Sequence, residues 1–151
     1  MNKRAFTLME VMIALTVVIL VMSSVLSFLI SSMDLNELNQ KYFIAMNIAQ
    51  AKMAEKINQR PNFDSIGPDP AILLYAGSDG IDGICRVDVT TLVLPPVKQE
   101  YKILDVYVCW KSRRGRVIGS CHDTNSDGRL DAWYIPPESP AHIRAGITKV
   151  Q

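Results

Sequence analysis

The chain has 151 residues, is 48% hydrophobic and 21% charged, and carries a formal net charge of +1. That length holds one small domain plus a long helix, not two globular domains, and the near-neutral balance excludes a general electrostatic pull toward nucleic acid. Three cysteines, Cys85, Cys109 and Cys121, form no Cys-x-x-Cys pair, which argues against a zinc knuckle or a thioredoxin-type site.

Apolar residues crowd the first thirty positions. From Val11 to Ile30 there is no charge, proline or glycine. As a helix these residues span about 30 Å, the thickness of one hydrocarbon core. Thr16, Ser23, Ser24 and Ser27 interrupt the run, and their hydroxyls can bond back to helix carbonyls. Lys3 and Arg4 precede it and are expected to stay cytoplasmic, with the rest of the chain facing outward. An ordinary signal peptide has a shorter apolar core. A plain membrane anchor explains the hydrophobicity but not the carboxylate of Glu10 at the edge of the run. A carboxylate there is costly without a partner. The amine of Phe6, freed by cleavage after Ala5, would be one.

The residues Ala5-Phe6-Thr7-Leu8-Met9-Glu10-Val11-Met12-Ile13-Ala14-Leu15 resemble the class III signal of type IV prepilins and type II secretion pseudopilins. The resemblance implies that a prepilin peptidase and N-methyltransferase cuts between Ala5 and Phe6 and methylates the new amine. It implies that Glu10 guides assembly with other pilins or pseudopilins on an inner-membrane platform. Ala5 stands where the family usually has glycine, another small residue. The precursor is then expected to cross the inner membrane once with its domain exported, and to pass into a pilus or a periplasmic pseudopilus.

Helical character continues beyond the apolar run. Leu35, Leu38, Tyr42, Ala45, Ala49, Met53 and Ile57 recur at three- and four-residue spacings with polar residues between them, the pattern of an amphipathic helix. Pro61 ends it. The expected division is a leader over 1–5, a membrane and filament-core helix over 6–30, its amphipathic continuation over 31–60, and a small β-rich exported domain over 61–151.

Residues 61–83 are dense in turn formers. Ile72-Leu73-Leu74-Tyr75 is a short apolar element of undecided type. Ile84 to Leu94 is rich in β-branched residues and reads as a strand ended by Pro95-Pro96. Tyr101 to Trp110 is the clearest strand, with Ile103, Asp105, Tyr107 and Cys109 on one face and Leu104, Val106, Val108 and Trp110 on the other. Lys111 to Arg116 turns the chain, and Val117 to Cys121 returns as a hairpin. Val106-Tyr107-Val108-Cys109-Trp110 is similar to the strand ending in Val-x-Val-x-Trp of minor pilins and pseudopilins. The fold class expected is α+β, a long N-terminal helix packed on a small antiparallel sheet, because each layer alone would leave its apolar face in water.

Other residues invite site readings. Cys109 and Cys121 end the two arms of the expected hairpin, which makes them the default disulfide, with Cys85–Cys121 as the alternative. The segment from Asp123 to Asp131 resembles the start of an EF-hand loop. Asp123, Asn125, Asp127 and Asp131 would offer side-chain oxygens to Ca2+, Arg129 its carbonyl, and Gly128 the sharp turn. Tyr134 stands where the bidentate glutamate belongs, so a surface turn closed by side-chain-to-backbone bonds is the competing reading. His122 beside Asp123 is a further ligand candidate, while His142 is expected to be exposed or capping. Lys111, Arg113, Arg114 and Arg116 read as a solvated hairpin tip, so nucleic acid is not an expected partner. No nucleophile elbow or acid–base pair points to an enzyme.

Overall fold

A computed structural model describes residues 7–95, 99–112, 115–125, 127, 129–133 and 137–149. Helix α1 runs Leu8–Asn58 without a proline or glycine. The chain forms two compact units, Met1–Leu38 and Asn39–Gln151.

In the first unit α1 is apolar on every side from Val11 to Ile30, and its large side chains from Leu8 to Leu35 stand exposed. The hydroxyls of Thr16, Ser23, Ser24, Ser27 and Ser31 are satisfied within the helix. Thr16 donates to the Ile13 carbonyl at 2.8 Å, Ser24 to Val21 at 2.7 Å, and Ser27 and Ser31 to the carbonyls four residues back at 3.0 Å each. Their polar groups therefore add little cost to an apolar surrounding.

In the second unit α1 buries Ala45, Ala49, Met53 and Lys56. The last position corrects the expected stripe, because Ile57 is 38% exposed. Steps of four residues overshoot a full turn, so Ile57 lies about 120° from Ala45 whereas Lys56 lies about 20° away. Leu35 is exposed as well and lies in the first unit.

Pro61 opens a 3-10 turn over Arg60–Ser65. Strand β1 is Asp69–Leu74, which settles the short apolar element, and the single turn α2, Ala76–Asp79, ends at Gly80 with φ +76°. Strands β2, Gly83–Leu94, and β3, Gln99–Lys111, pair antiparallel in unbroken register from Gly83↔Trp110 to Leu94↔Gln99. Gly83 permits this closeness, since a Cβ there would sit 2.1 Å from the Cys109 carbonyl oxygen. The remaining strands are β4, Val117–Ile118, β5, Cys121–His122, β6, Ala132–Trp133, and β7, Ala141–Thr148.

The main sheet orders β1-β2-β3. On the far edge of β3, β7 covers Tyr101 to Val108 and β4 covers Trp110 and Lys111. Strands β5 and β6 pair separately. Two expectations change here. The hairpin return stops at Ile118, because Gly119 turns away at φ +106°, and Cys121 pairs with Trp133 instead. Ala141–Thr148, where no strand was expected, fills the edge of β3.

The two faces of β3 are divided as its alternation predicts. Leu104, Val106, Val108 and Trp110 join Ala45, Ala49, Met53, Phe63, Ile66 and Ile81 in one core between helix and sheet. Cys109 packs on the opposite face with Ile84, Cys121, Leu130 and Trp133.

Candidate functional site

The two residues expected at the cleavage point, Ala5 and Phe6, lie outside the described residues, as do Lys3 and Arg4. The helix start just beyond them is described. Thr7 precedes α1, its carbonyl accepting from the Glu10 and Val11 amides at 3.0 and 3.3 Å. Its Oγ1 also accepts from the Glu10 amide at 3.3 Å. Thr7 is therefore the N-cap, and Glu10 is the third helical residue. Thr-x-x-Glu before an apolar run is the sequence signature of a capping box. That signal was available in the sequence, and it gives Thr7 a role that the cleavage-site reading passes over. Glu10 sits in the first turn, where the helix dipole favours a negative side chain.

The sulfur atoms of Cys109 and Cys121 are joined in a disulfide. Gly119 makes room for it, since a Cβ there would lie 3.1 Å from Cys109 Sγ and in the left-handed region besides. Cys85 belongs to the other face of the sheet, in the main core. Burial pushes its thiol up to about 12, so it stays protonated and inert near neutral pH.

The Asp-rich loop is drawn together by its own hydrogen bonds. Asp131 Oδ1 accepts from the Thr124 amide at 2.8 Å and Oδ2 from the Thr124 hydroxyl at 2.6 Å. These bonds hold the exposed Asp131 carboxyl below the usual carboxylate range. Asn125 Oδ1 accepts from the Asp127 amide at 3.2 Å, and Asp127 Oδ1 from the Arg129 amide at 2.8 Å. The oxygens of Asn125, Asp127 and Asp131 that calcium would gather are here turned on the loop's own donors, largely as side-chain-to-backbone turns, while Asp123 Oδ1 is buried without a hydrogen bond among the described residues. Among the described residues no group of three or more His, Cys, Asp or Glu side chains is placed to hold a metal ion. The Arg129 guanidinium lies 5.5 Å from the centre of the Tyr75 ring. Ser126, Gly128 and Tyr134 fall outside the described residues, as do Arg113 and Arg114 of the basic turn.

A polar cluster that the sequence reading missed lies across β3 and β7. Asp105 is 9% exposed at its side chain and accepts from Arg144 Nε at 2.6 Å and Nη2 at 3.2 Å. His142 Nε2 lies 2.9 Å from the same carboxylate, and its ring stacks on Tyr107 at 4.4 Å between centres. Burial works against ionisation of Asp105, but the bonds from Arg144 and His142 outweigh it and hold the carboxyl below its ordinary value. Register explains the meeting: Asp105 stands opposite Arg144 and Tyr107 opposite His142. His142 is thus exposed, one of the two expected outcomes, and is a sheet residue with defined partners rather than a cap.

Comparison with known proteins bears on the N-terminus. Residues 1–26 carry the prokaryotic N-terminal methylation motif. This is the signal that type IV pilin and pseudopilin precursors carry. It implies prepilin peptidase processing and assembly with other pilins. With an apolar helix long enough to cross a membrane, it points to membrane anchoring before assembly and to a structural subunit. No curated protein and no solved structure matches the chain.

Proposed function

We propose that the chain is a minor pilin of a type IV pilus, cut between Ala5 and Phe6, methylated at Phe6, and built into or priming the filament by helix packing. The observation that carries this is one helix that joins Glu10, its amide capped by Thr7, to an uncharged, exposed run through Met33 under a methylation motif. Such a surface is unstable in water. It must rest in lipid or against equivalent helices. Glu10 supplies the direction of transfer between these two settings. In lipid its carboxylate is costly, whereas a neighbouring subunit's Phe6 amine offers a charge partner. Assembly therefore needs no bond-making chemistry beyond the peptidase and methylation steps. The partners are the peptidase, other pilins and an inner-membrane platform.

The minor role draws on the likeness of Val106–Trp110 to strands of minor pilins. That likeness serves equally a minor pseudopilin at the tip of a type II secretion filament, which is the second reading. Under either, Glu10→Ala inserts into the membrane normally but enters filaments at least about 10-fold less, the effect of losing roughly 1.4 kcal/mol. Normal incorporation of Glu10→Ala would remove the carboxylate from the assembly mechanism.

A third reading is a non-polymerising membrane-anchored module whose Asp123–Asp131 loop takes Ca2+ for adhesion or binding. Calcium would have to displace the Thr124 bonds to Asp131. Calorimetry on the full chain in micelles tests it: millimolar Ca2+ that gives heat and raises Tm supports the calcium loop, and no heat with an unchanged Tm removes it.

A further inference from the structure

Between α1 and β1 the chain has no strand partner, only the 3-10 turn Arg60–Ser65 and the three residues that follow it. Two apolar anchors hold it, Phe63 and Ile66, which are 4% and 3% exposed. Three lysines from elsewhere in the same unit close around it. Lys56 of α1 donates to the Gly67 carbonyl at 3.1 Å and pairs with Asp69 at 2.8 Å. Lys149, just after β7, reaches both oxygens of Asp64 at 3.0 Å. Lys102 of β3 is 7% exposed, and its ammonium donates to the Phe63 carbonyl at 2.7 Å and the Ile66 carbonyl at 3.0 Å. It also stands 4.8 Å from the centre of the Phe63 ring.

Lys102 is the informative member. Among the described residues its partners are carbonyls and a ring, not a carboxylate. An ammonium suits this place because the end of a helical turn exposes carbonyls and a partial negative charge. Yet an apolar residue of the same length would fill the space without the cost of desolvating a charge. What the ammonium adds is a grip on the backbone of the turn from the central strand of the sheet.

We propose that residues 60–68 are a latch, a strap fastened to β3 by Lys102 that opens as a unit while β2 and β3 stay paired. Resting on the filament reading above, the latch ties the end of α1 to the sheet and is the element that yields before β2 and β3 part under load along α1. Its reporters are the Asn62 amide, bonded to the Gln59 carbonyl at 2.8 Å, and the Ile66 amide, bonded to the Phe63 carbonyl at 3.3 Å.

Amide hydrogen exchange on the full chain in detergent micelles tests the latch without requiring a filament, so its failure is separate from failure of the assembly reading. Lys102→Met is expected to speed exchange at Asn62 and Ile66 roughly 10- to 100-fold, the range for losing hydrogen bonds to a charged group. Exchange at Leu104 and Val106 stays unchanged. Unchanged exchange at Asn62 and Ile66, or an equal rise in the sheet, overturns the proposal. If Lys102→Met does not fold, Asp64→Asn replaces it. That surface change removes the charge from the Lys149 contact and is expected to open the same two amides a few-fold with the sheet unaffected. An Asp64→Asn chain with wild-type exchange at both positions equally overturns the latch.

Discussion

The helix before Asn39 and the domain after it solve the problem of apolar surface in opposite ways. From Leu8 to Leu35 large side chains face outward on all sides, and nothing in the same unit covers them. From Tyr42 to Lys56 the same helix keeps one stripe, and the sheet covers it. No break in the backbone marks the change. What changes is the distribution of polar residues, which decides whether the chain completes its own core or depends on lipid or other subunits. One region is built to be finished by its surroundings, and the other is finished at the level of the single chain.

Substitutions sharpen that contrast, and the largest effect belongs to the domain. Trp110 is fully buried in the main core, so Trp110→Ala is expected to cost about 3–5 kcal/mol of domain stability. Leu20→Ala, on the exposed helix, leaves the domain's denaturation midpoint unchanged. A shift from Leu20→Ala as large as that from Trp110→Ala would break the division between the regions. Next comes Cys109→Ser, which opens the bridge over a sequence separation of 12 residues and is expected to cost about 2–4 kcal/mol. Reducing agent should lower wild-type stability by a similar amount and leave the variant unaffected.

The smallest effect depends on pH. Asp105 is depressed in the folded state, so its contribution is complete above the unfolded value, near 3.9. It is lost as pH falls through the lower folded value. Asp105→Asn is expected to cost on the order of 1 kcal/mol at neutral pH and to flatten the stability profile below about pH 4. A variant with the wild-type acid profile would show that other carboxylates govern that limb.

Much of this fold is legible in the sequence because its signals are local. An unbroken run without proline or glycine, then Pro61, bounds the helix. The β-branched residues from Ile84 to Leu94 and the alternation from Tyr101 to Trp110 give the two long strands. The less legible parts depend on distant partners. Nothing local in the sequence marks the roles of Lys102 and Asp105, whose partners Phe63, Ile66 and Arg144 come from 36 to 39 positions away. Strand β7 is weak locally, with Gly146 inside it and prolines before it, and it becomes a strand because the edge of β3 needs pairing. Lys56 displaced Ile57 through a helical phase that a list of apolar residues does not carry. At the candidate site the sequence names Ala5, Phe6 and Glu10 as expectations, and its Thr-x-x-Glu pattern already carries the capping role of Thr7 that the hydrogen bonds at the helix start display.

Mass measurement of the chain purified from its native membrane after cross-linking tests the central claim most directly. The account predicts a mature chain that begins at methylated Phe6 and is joined to other pilins or pseudopilins, whose identities then tell pilus from secretion filament. A chain that retains Met1 and has no such partners would contradict it.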